Sequence, residues 1–225
     1  MAEPTNRPST EPLETATTPA TAAPASPLLS ARQLRSSRAG PFDLALGVGE
    51  CVCVVGRSGA GKSVFLRLLA DLDPAEGVVR LAGRDRSEFS GPQWRTRVVY
   101  QAAEPAWWMP LVREHFAPSL ADAAVALMAR LDLAAELFDR PVAQLSTGQR
   151  QRLALVRSAA GKPDVLLLDE PTASLDDEST ARVEALARDL LRQGAAIVWV
   201  THSREQAGRI GHRVLTLDAG KLVSP

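Results

Sequence analysis

Residues 56–63, with the sequence GRSGAGKS, constrain the fold of this chain more than any other segment. This glycine-rich stretch follows the β-prone apolar run 50–55. It precedes residues 62–71, whose apolar spacing predicts a helix. A strand, a tight turn and a helix in this order are typical of folds in which parallel strands alternate with helices.

The rest of the chain repeats that alternation. Strands are predicted at 78–81, 97–101, 165–168 and 195–201 with a closing pair at 213–223, and helices at about 118–139, 146–160 and 179–193. The sequence therefore predicts an α/β fold with a largely parallel sheet wrapped by helices.

The glycine-rich segment also fits G-x-x-x-x-G-K-[ST], the pattern of a phosphate-binding loop. Its glycines let the backbone form a concave nest of N–H groups, and the next helix directs its positive dipole end there. We expect Lys62 to contact the β- and γ-phosphates and the Ser63 hydroxyl to bind Mg²⁺. The predicted ATP-binding residues are Gly56, Arg57, Ser58, Gly59, Ala60, Gly61, Lys62 and Ser63. This loop alone leaves kinases, GTPases, helicases and transport ATPases open.

Composition narrows the class of protein. The chain has 225 residues, 45% of them hydrophobic, which is enough for one large domain or two small ones. Its 26 basic and 26 acidic residues give a formal net charge of zero. No nucleic-acid partner is expected, because such a footprint needs a basic face. Residues 1–27 are dominated by Pro, Thr, Ala and Ser. They predict a disordered tail, either a solvated extension or a binding or regulatory segment, before a domain at 28–225.

The sequence also predicts where the protein works. No apolar run reaches the roughly 18–20 residues that cross a bilayer, and the amino terminus shows no signal peptide. Cys51 and Cys53 alternate on one predicted strand, where we expect them to fill the core rather than pair or bind metal. These features are typical of a protein of the reducing cytosol that reaches a membrane through a partner.

The segment LSTGQ at 145–149 decides between the classes of ATPase. It opens a predicted helix, and the Ser146 side chain is suited to cap it. The segment resembles the LSGGQ signature of ATP-binding-cassette (ABC) ATPases, with Thr147 in place of the first glycine. That substitution affects rate and affinity rather than family. The resemblance implies an ATP-dependent head-to-tail homodimer, in which Ser146, Thr147, Gly148 and Gln149 contact nucleotide on the second copy's phosphate loop.

The resemblance extends from about residue 28 to the end of the chain. It implies a P-loop NTPase fold with an α/β core, an antiparallel β-subdomain and an inserted helical subdomain at about 104–160. The apolar run 165–168 ends in Asp169 and Glu170. Asp169 resembles the residue that positions Mg²⁺ through its water shell, and Glu170 resembles the general base for the attacking water.

Two further residues take roles from the same resemblance. His202, directly after a predicted strand, resembles the switch histidine that senses the γ-phosphate, and Asp176 resembles the D-loop residue that communicates across the dimer. His115 and His212 have no such context and are expected at the surface. Catalysis is thus assigned to Glu170, His202 and Lys62.

Two places depart from the family pattern. Spacing from Glu104-Pro105 places Ala103 where the family's Q-loop glutamine stands, two residues after Gln101. Two residues along a strand keep the same face, so Gln101 remains a candidate for the Mg²⁺ site with Ser63 and Asp169. The region that stacks on adenine in the family offers Arg35, Ser36, Ser37 and Arg38, with Phe42 the only aromatic nearby.

The whole pattern predicts a separately encoded ATPase subunit that powers a membrane permease. The segment WWMPL at 107–111 lies where the family's permease coupling helix docks, although core packing would explain it equally well. The protein would then lie at the cytoplasmic face of the cell membrane. Small Fet-type subunits, associated with iron export, are the most similar subgroup. The alternatives are a regulatory or non-transport ABC protein and a P-loop kinase or GTPase.

Overall fold

The structure is a computed structural model that describes Met1, residues 26–218 and residues 220–223. Apart from Met1, Ser26 and Pro27, the predicted tail lies outside the described residues. The strands are β1 (Leu29–Arg35), β2 (Phe42–Leu46), β3 (Cys51–Val55), β4 (Glu76–Leu81), β5 (Arg84–Asp85), β6 (Val98–Gln101), β7 (Val165–Asp169), β8 (Ala196–Val200), β9 (Arg213–Asp218) and β10 (Lys221–Val223). The helices are α1 (Lys62–Leu69), α2 (Gly91–Arg97), α3 (Ala121–Arg130), α4 (Thr147–Ala160), α5 (Asp177–Arg192) and α6 (Arg204–Ile210).

Six strands form the central sheet in the order β10-β9-β3-β8-β7-β6. Strands β9, β3, β8, β7 and β6 pair in parallel, and β10 pairs antiparallel with β9. All residues of β3, β7 and β8 are buried, because helices cover both faces of the sheet. This confirms the predicted α/β class. The three strands end at the same edge, directly before the phosphate loop, Glu170 and Thr201.

Cys51 and Cys53 are buried, unpaired thiols in this sheet, as predicted. The hydrogen bond between the two thiols, together with burial, raises the pKa of Cys51 far above its usual range. The thiol is therefore held protonated and packs as a small apolar side chain.

A second, antiparallel sheet has the order β2-β1-β4-β5. The sequence patterns had assigned strands to neither β1 nor β2. Helix α1 packs between the two sheets, and the rings of Phe42 and Phe65 meet there at 4.8 Å. Phe42 is fully buried in this contact and cannot stack on adenine. Arg35, another candidate, forms an ion pair with Glu76 at 2.7 Å.

The chain between β6 and β7 is helical, but the predicted helix 118–139 is interrupted. Within residues 118–139 only α3 is an α-helix, and it is flanked by 3₁₀ turns at Pro118–Leu120 and Ala135–Asp139. Helix α3 ends at Arg130, and two residues later Asp132 has a left-handed φ of 55°, which cannot continue a helix. The next predicted helix is confirmed: Ser146 caps α4.

Helices α2 and α6 were not predicted. The α2 signals are local: Ser90 caps the helix in a capping box with Gln93, and Pro92 lies in its first turn. Arg97 belongs to α2 and not to the strand predicted there. Among the described residues, no helix is long and apolar enough to span a membrane.

Candidate nucleotide-binding and catalytic site

The phosphate loop turns tightly between β3 and α1. Gly56 has φ of 157°, and a Cβ at this position would lie 2.4 Å from the Leu217 carbonyl oxygen. Gly61, the residue before α1, has φ of 101°. Only glycine takes both conformations without strain, so the loop needs its glycines for the shape that exposes its N–H groups.

Lys62 lies folded into this loop. Its ammonium nitrogen donates to the carbonyl oxygens of Gly56 at 2.9 Å and Arg57 at 3.0 Å. The side chain is buried. These two hydrogen bonds hold a positive charge within the loop, where an anionic ligand would meet it.

A cleft of about 490 Å³ opens beside the loop at the carboxyl ends of the parallel strands. It brings together predicted residues from three separate parts of the chain. They are Ser58, Gly59, Gly61, Lys62 and Ser63 from the loop, Asp169 and Glu170 at the end of β7, and His202 after β8. Ala103 and Glu104 line it as well.

Glu170 and His202 form a close pair in the cleft, with Glu170 Oε1 at 2.6 Å from His202 Nε2. The backbone supports this contact, because the Glu170 N–H donates to the Val200 carbonyl at 3.1 Å. Glu170 has φ of 48°, an uncommon left-handed conformation for a glutamate. Such local strain is often found at functional positions, and here it turns the carboxylate towards the histidine.

Asp169 is 3% exposed and accepts a hydrogen bond from the Tyr100 hydroxyl, at 3.1 Å from Oδ2. Burial raises the pKa of Tyr100 well above its usual range, and the Asp169 carboxylate adds to the shift. The hydroxyl therefore stays protonated as a donor. No sequence pattern indicated this contact, because Tyr100 is one more β-prone residue of the predicted strand.

Gln101 lies at the end of β6 with 3% exposure, and neither atom of its side-chain amide has a partner among the described residues. Ala103 and Glu104, two and three residues later, line the cleft instead. The assignment of Gln101 to a metal site stays a prediction.

The LSTGQ segment forms the start of α4. Ser146 Oγ accepts from the Gln149 N–H at 3.1 Å, and Gln149 Oε1 accepts from the Ser146 N–H at 2.9 Å. Thr147 is exposed. A Cβ on Gly148 would lie 3.4 Å from the Leu175 side chain, so the segment packs against the loop between β7 and α5 of its own chain. These residues do not line their own cleft.

A buried polar network lies behind the Glu170–His202 pair. Gln206 donates to Thr172 Oγ1 at 2.9 Å and to Glu184 Oε1 at 3.2 Å, and accepts from Trp199 Nε1 at 3.3 Å. Gln206 thus connects α6, the helix after His202, to Thr172 in the loop between β7 and α5. Asp176 accepts from the Ser179 N–H at 2.7 Å, capping α5. Gln206 had no signal in the sequence.

A cation–π cluster lies on the loop after β6. The Arg157 guanidinium of α4 lies 4.7 Å from the Trp107 ring centre and 4.8 Å from that of Trp108. His115 was expected at the surface, but it is 8% exposed and packs against both rings. Its Nε2 accepts from the backbone N–H groups of Trp108 and Met109, which explains its burial. The other uncommitted histidine, His212, is exposed as predicted.

The family described as "ABC transporter" matches residues 40–173. The chain belongs to this family. It is an ABC cassette.

Curated relatives of the cassette include exporters and importers. A pyoverdine export ATP-binding/permease protein of Pseudomonas entomophila is 38% identical over 81% of this chain and 30% of its own length. A methionine import ATP-binding protein of Bacillus licheniformis is 36% identical over 80% of this chain and 57% of its own length. The cassette thus spans between about a third and somewhat more than half of these two relatives.

Solved structures share the fold. An ATP-binding subunit of an ABC transporter superposes with a TM-score of 0.78 at 21% identity, covering 87% of this cassette and 88% of that chain. A dimeric ATP-binding cassette in a post-hydrolysis state, bound to ADP and Pi, gives 0.77 at 22% identity, covering 86% and 96%. The predicted ABC-type fold, with its antiparallel and helical parts, is confirmed.

Proposed function

We propose that this cassette binds ATP with Mg²⁺ and hydrolyses it to drive a membrane permease. The observation that carries the proposal is the single cleft shared by Lys62, Ser63, Asp169, Glu170 and His202. A phosphate-binding loop, a buried carboxylate, a candidate base and a histidine from distant parts of the sequence meet there. Hydrolysis of a nucleoside triphosphate needs these groups together in one site.

The residues present fit Mg²⁺. Ser63 and Asp169 offer a hydroxyl and a carboxylate, the hard oxygen ligands that Mg²⁺ prefers. Among the described residues no group of three His, Cys, Asp or Glu forms a complete protein cage. A cage is unnecessary, because Mg²⁺ bound with substrate phosphates takes one or two protein oxygens. The ion would neutralise charge on the phosphate oxygens. We keep Gln101 as a third candidate, supported by its unpartnered amide.

The chain's own groups divide the remaining work. The loop N–H groups and the Lys62 ammonium bind and orient the β- and γ-phosphates, exchanging the loop carbonyls for phosphate oxygens. Glu170 accepts a proton from the attacking water. His202 orients the Glu170 carboxylate through the 2.6 Å contact and is placed to sense the γ-phosphate.

We propose a head-to-tail homodimer as the active form. Its support is the exposed start of α4, where Ser146, Thr147, Gly148 and Gln149 do not line the cleft of their own chain. Helix α4 has 14 residues, and its first-turn N–H groups favour an anion such as the γ-phosphate of a second copy. The closed pair would exist only with ATP, and hydrolysis would open it.

The permease is the proposed second partner. Trp108 is 65% exposed and Met109 40% exposed, beside the loop that lines the cleft. Trp and Met are residue types that are enriched at protein–protein interfaces. Docking there would hold the cassette at the cytoplasmic face of the membrane. The relatives include an exporter and importers, and the Fet-type subgroup stays a prediction.

Isothermal titration and an ATPase assay test the core of the proposal. Lys62→Ala should lose most ATP affinity, because it removes the charge facing the phosphates. Lys221→Ala, which removes an exposed lysine of β10, is the matched control. Unchanged ATP affinity in a folded Lys62→Ala protein would contradict the assignment of the loop to the ATP site. ATP binding by the wild type without Mg²⁺-dependent turnover would favour the regulatory alternative.

A further inference from the structure

The Tyr100 hydroxyl bridges two strands of the central sheet at their carboxyl ends. Tyr100 pairs with Leu167 across β6 and β7, so it lies two residues before the level of Asp169. At about 3.3 Å per residue, two residues span about 6.6 Å along the strand. A phenol covers this distance, whereas the short side chain of Ser or Thr does not. The hydroxyl therefore reaches Asp169 Oδ2, at 3.1 Å.

Asp169 depends on this contact. The residue is 3% exposed, and among the described residues no other side chain donates a hydrogen bond to its carboxylate. A buried carboxylate without a donor is costly, and its orientation is set by the donors it has. One oxygen is fixed by the phenol, which leaves the other oxygen as the one that is free to face the cleft.

We propose that Tyr100 is a positioning residue for Asp169, holding the carboxylate in the rotamer that directs its second oxygen towards the metal shell. The inference rests on the proposed Mg²⁺ role of Asp169. Tyr100 is also the second-last residue of β6, close to the loop whose residues Ala103 and Glu104 line the cleft. The same hydroxyl therefore ties the start of that loop to the metal-facing carboxylate.

Tyr100 is the only tyrosine of the chain, which allows a direct test. Protein labelled with ¹³C at the tyrosine ζ carbon gives a single NMR resonance that needs no assignment. In metal-free protein, Asp169→Asn should shift this resonance upfield, because an amide oxygen is a weaker acceptor than a carboxylate. Addition of Mg²⁺ with β,γ-imido-ATP should shift it in the wild type and much less in Asp169→Asn.

The two arms separate two failures. An identical resonance in metal-free wild type and Asp169→Asn would overturn the proposed role of Tyr100. A difference between those proteins, with no response of the wild type to Mg²⁺, would leave the hydrogen bond intact. It would instead overturn the metal role of Asp169, and with it the positioning proposal.

Tyr100→Phe gives the kinetic test, because it removes only the hydroxyl and keeps the ring. The Mg²⁺ concentration for half-maximal ATPase should rise about 10- to 100-fold, the loss expected for one hydrogen bond to a charged group. The KM for ATP at saturating Mg²⁺ should change little. Thr96→Val, which removes an exposed hydroxyl bonded to Gln93, is the control with unchanged Mg²⁺ dependence. A Tyr100→Phe value within twofold of the wild type would refute the proposal.

Discussion

The Glu170→Gln substitution isolates the proposed base from the shape of the site. Glu170 Oε1 contacts His202 Nε2 at 2.6 Å. A glutamine Oε1 can accept the same hydrogen bond, so the geometry should survive. The amide cannot take a proton from water, however. We expect ATP hydrolysis to fall by about 10²–10⁴, which corresponds to about 2.7–5.4 kcal/mol of transition-state free energy. The affinity for ATP should change little.

The same variant tests assembly. If hydrolysis separates the two copies, blocking it should trap them together. With Mg-ATP, Glu170→Gln should therefore elute as a dimer in size-exclusion chromatography with light scattering, while the wild type with ADP stays monomeric. Glu205→Gln, an exposed acid paired with Arg209 at 2.6 Å, is the matched control and should turn over ATP at the wild-type rate.

Two results would refute this reasoning in different ways. Hydrolysis by Glu170→Gln at the wild-type rate would show that another group activates the water. A variant that binds ATP, fails to hydrolyse it and stays monomeric would contradict the head-to-tail homodimer of the isolated chain. In that case Thr147→Gly, which restores the first glycine of the signature, should recover the dimer if the threonine side chain blocks closure.

Three further predictions concern other parts of the molecule. Gln101→Ala should lower the ATPase rate more than ATP affinity if its amide serves the metal site; a silent Gln101→Ala with faster hydrolysis by Ala103→Gln would show that the function was lost. Trp94→Phe removes the buried hydrogen bond from the indole N–H to the Leu69 carbonyl at 3.0 Å and should cost about 1–3 kcal/mol in urea unfolding; no loss of stability would contradict that role. Although burial raises the pKa of Glu184, arginine and glutamine donors lower it overall. The stabilisation that ionised Glu184 provides should therefore be present at neutral pH and be lost as pH falls through that lowered pKa. The difference in free energy of unfolding between the wild type and Glu184→Gln should then disappear in acid. A difference that does not depend on pH would contradict this role of Glu184.

The sequence predicted the parts of the site that are local in the chain. The phosphate loop needs glycines at fixed spacing, because its backbone takes φ values that other residues avoid. The acid pair follows a buried strand, and parallel strands end at one edge. Cleft membership of Ser63, Asp169 and His202 follows from these two rules.

The contacts made across the fold could not be predicted in the same way. Tyr100 meets Asp169, and Gln206 meets Thr172 and Glu184, only after strands and helices far apart in the chain have packed. His115 was misplaced for the same reason. A histidine in a polar stretch reads as exposed, but two backbone N–H groups and two indole rings enclose it. Strands β1 and β2 were missed because the alternation of β2 covers only five residues, and that of β1 is interrupted between Ala31 and Leu34.

The contact of Arg157 with two indole rings connects α4 to the loop after β6. Arg157 and Thr147 lie on the same helix, ten residues apart, a distance of about 15 Å. Near its C-terminal end, α4 contacts Trp107 and Trp108 through Arg157, and its N-terminal end carries the LSTGQ segment. A displacement of Trp108 would therefore be felt at α4 through this contact. The first turn of α4 would follow, because it belongs to the same hydrogen-bonded helix.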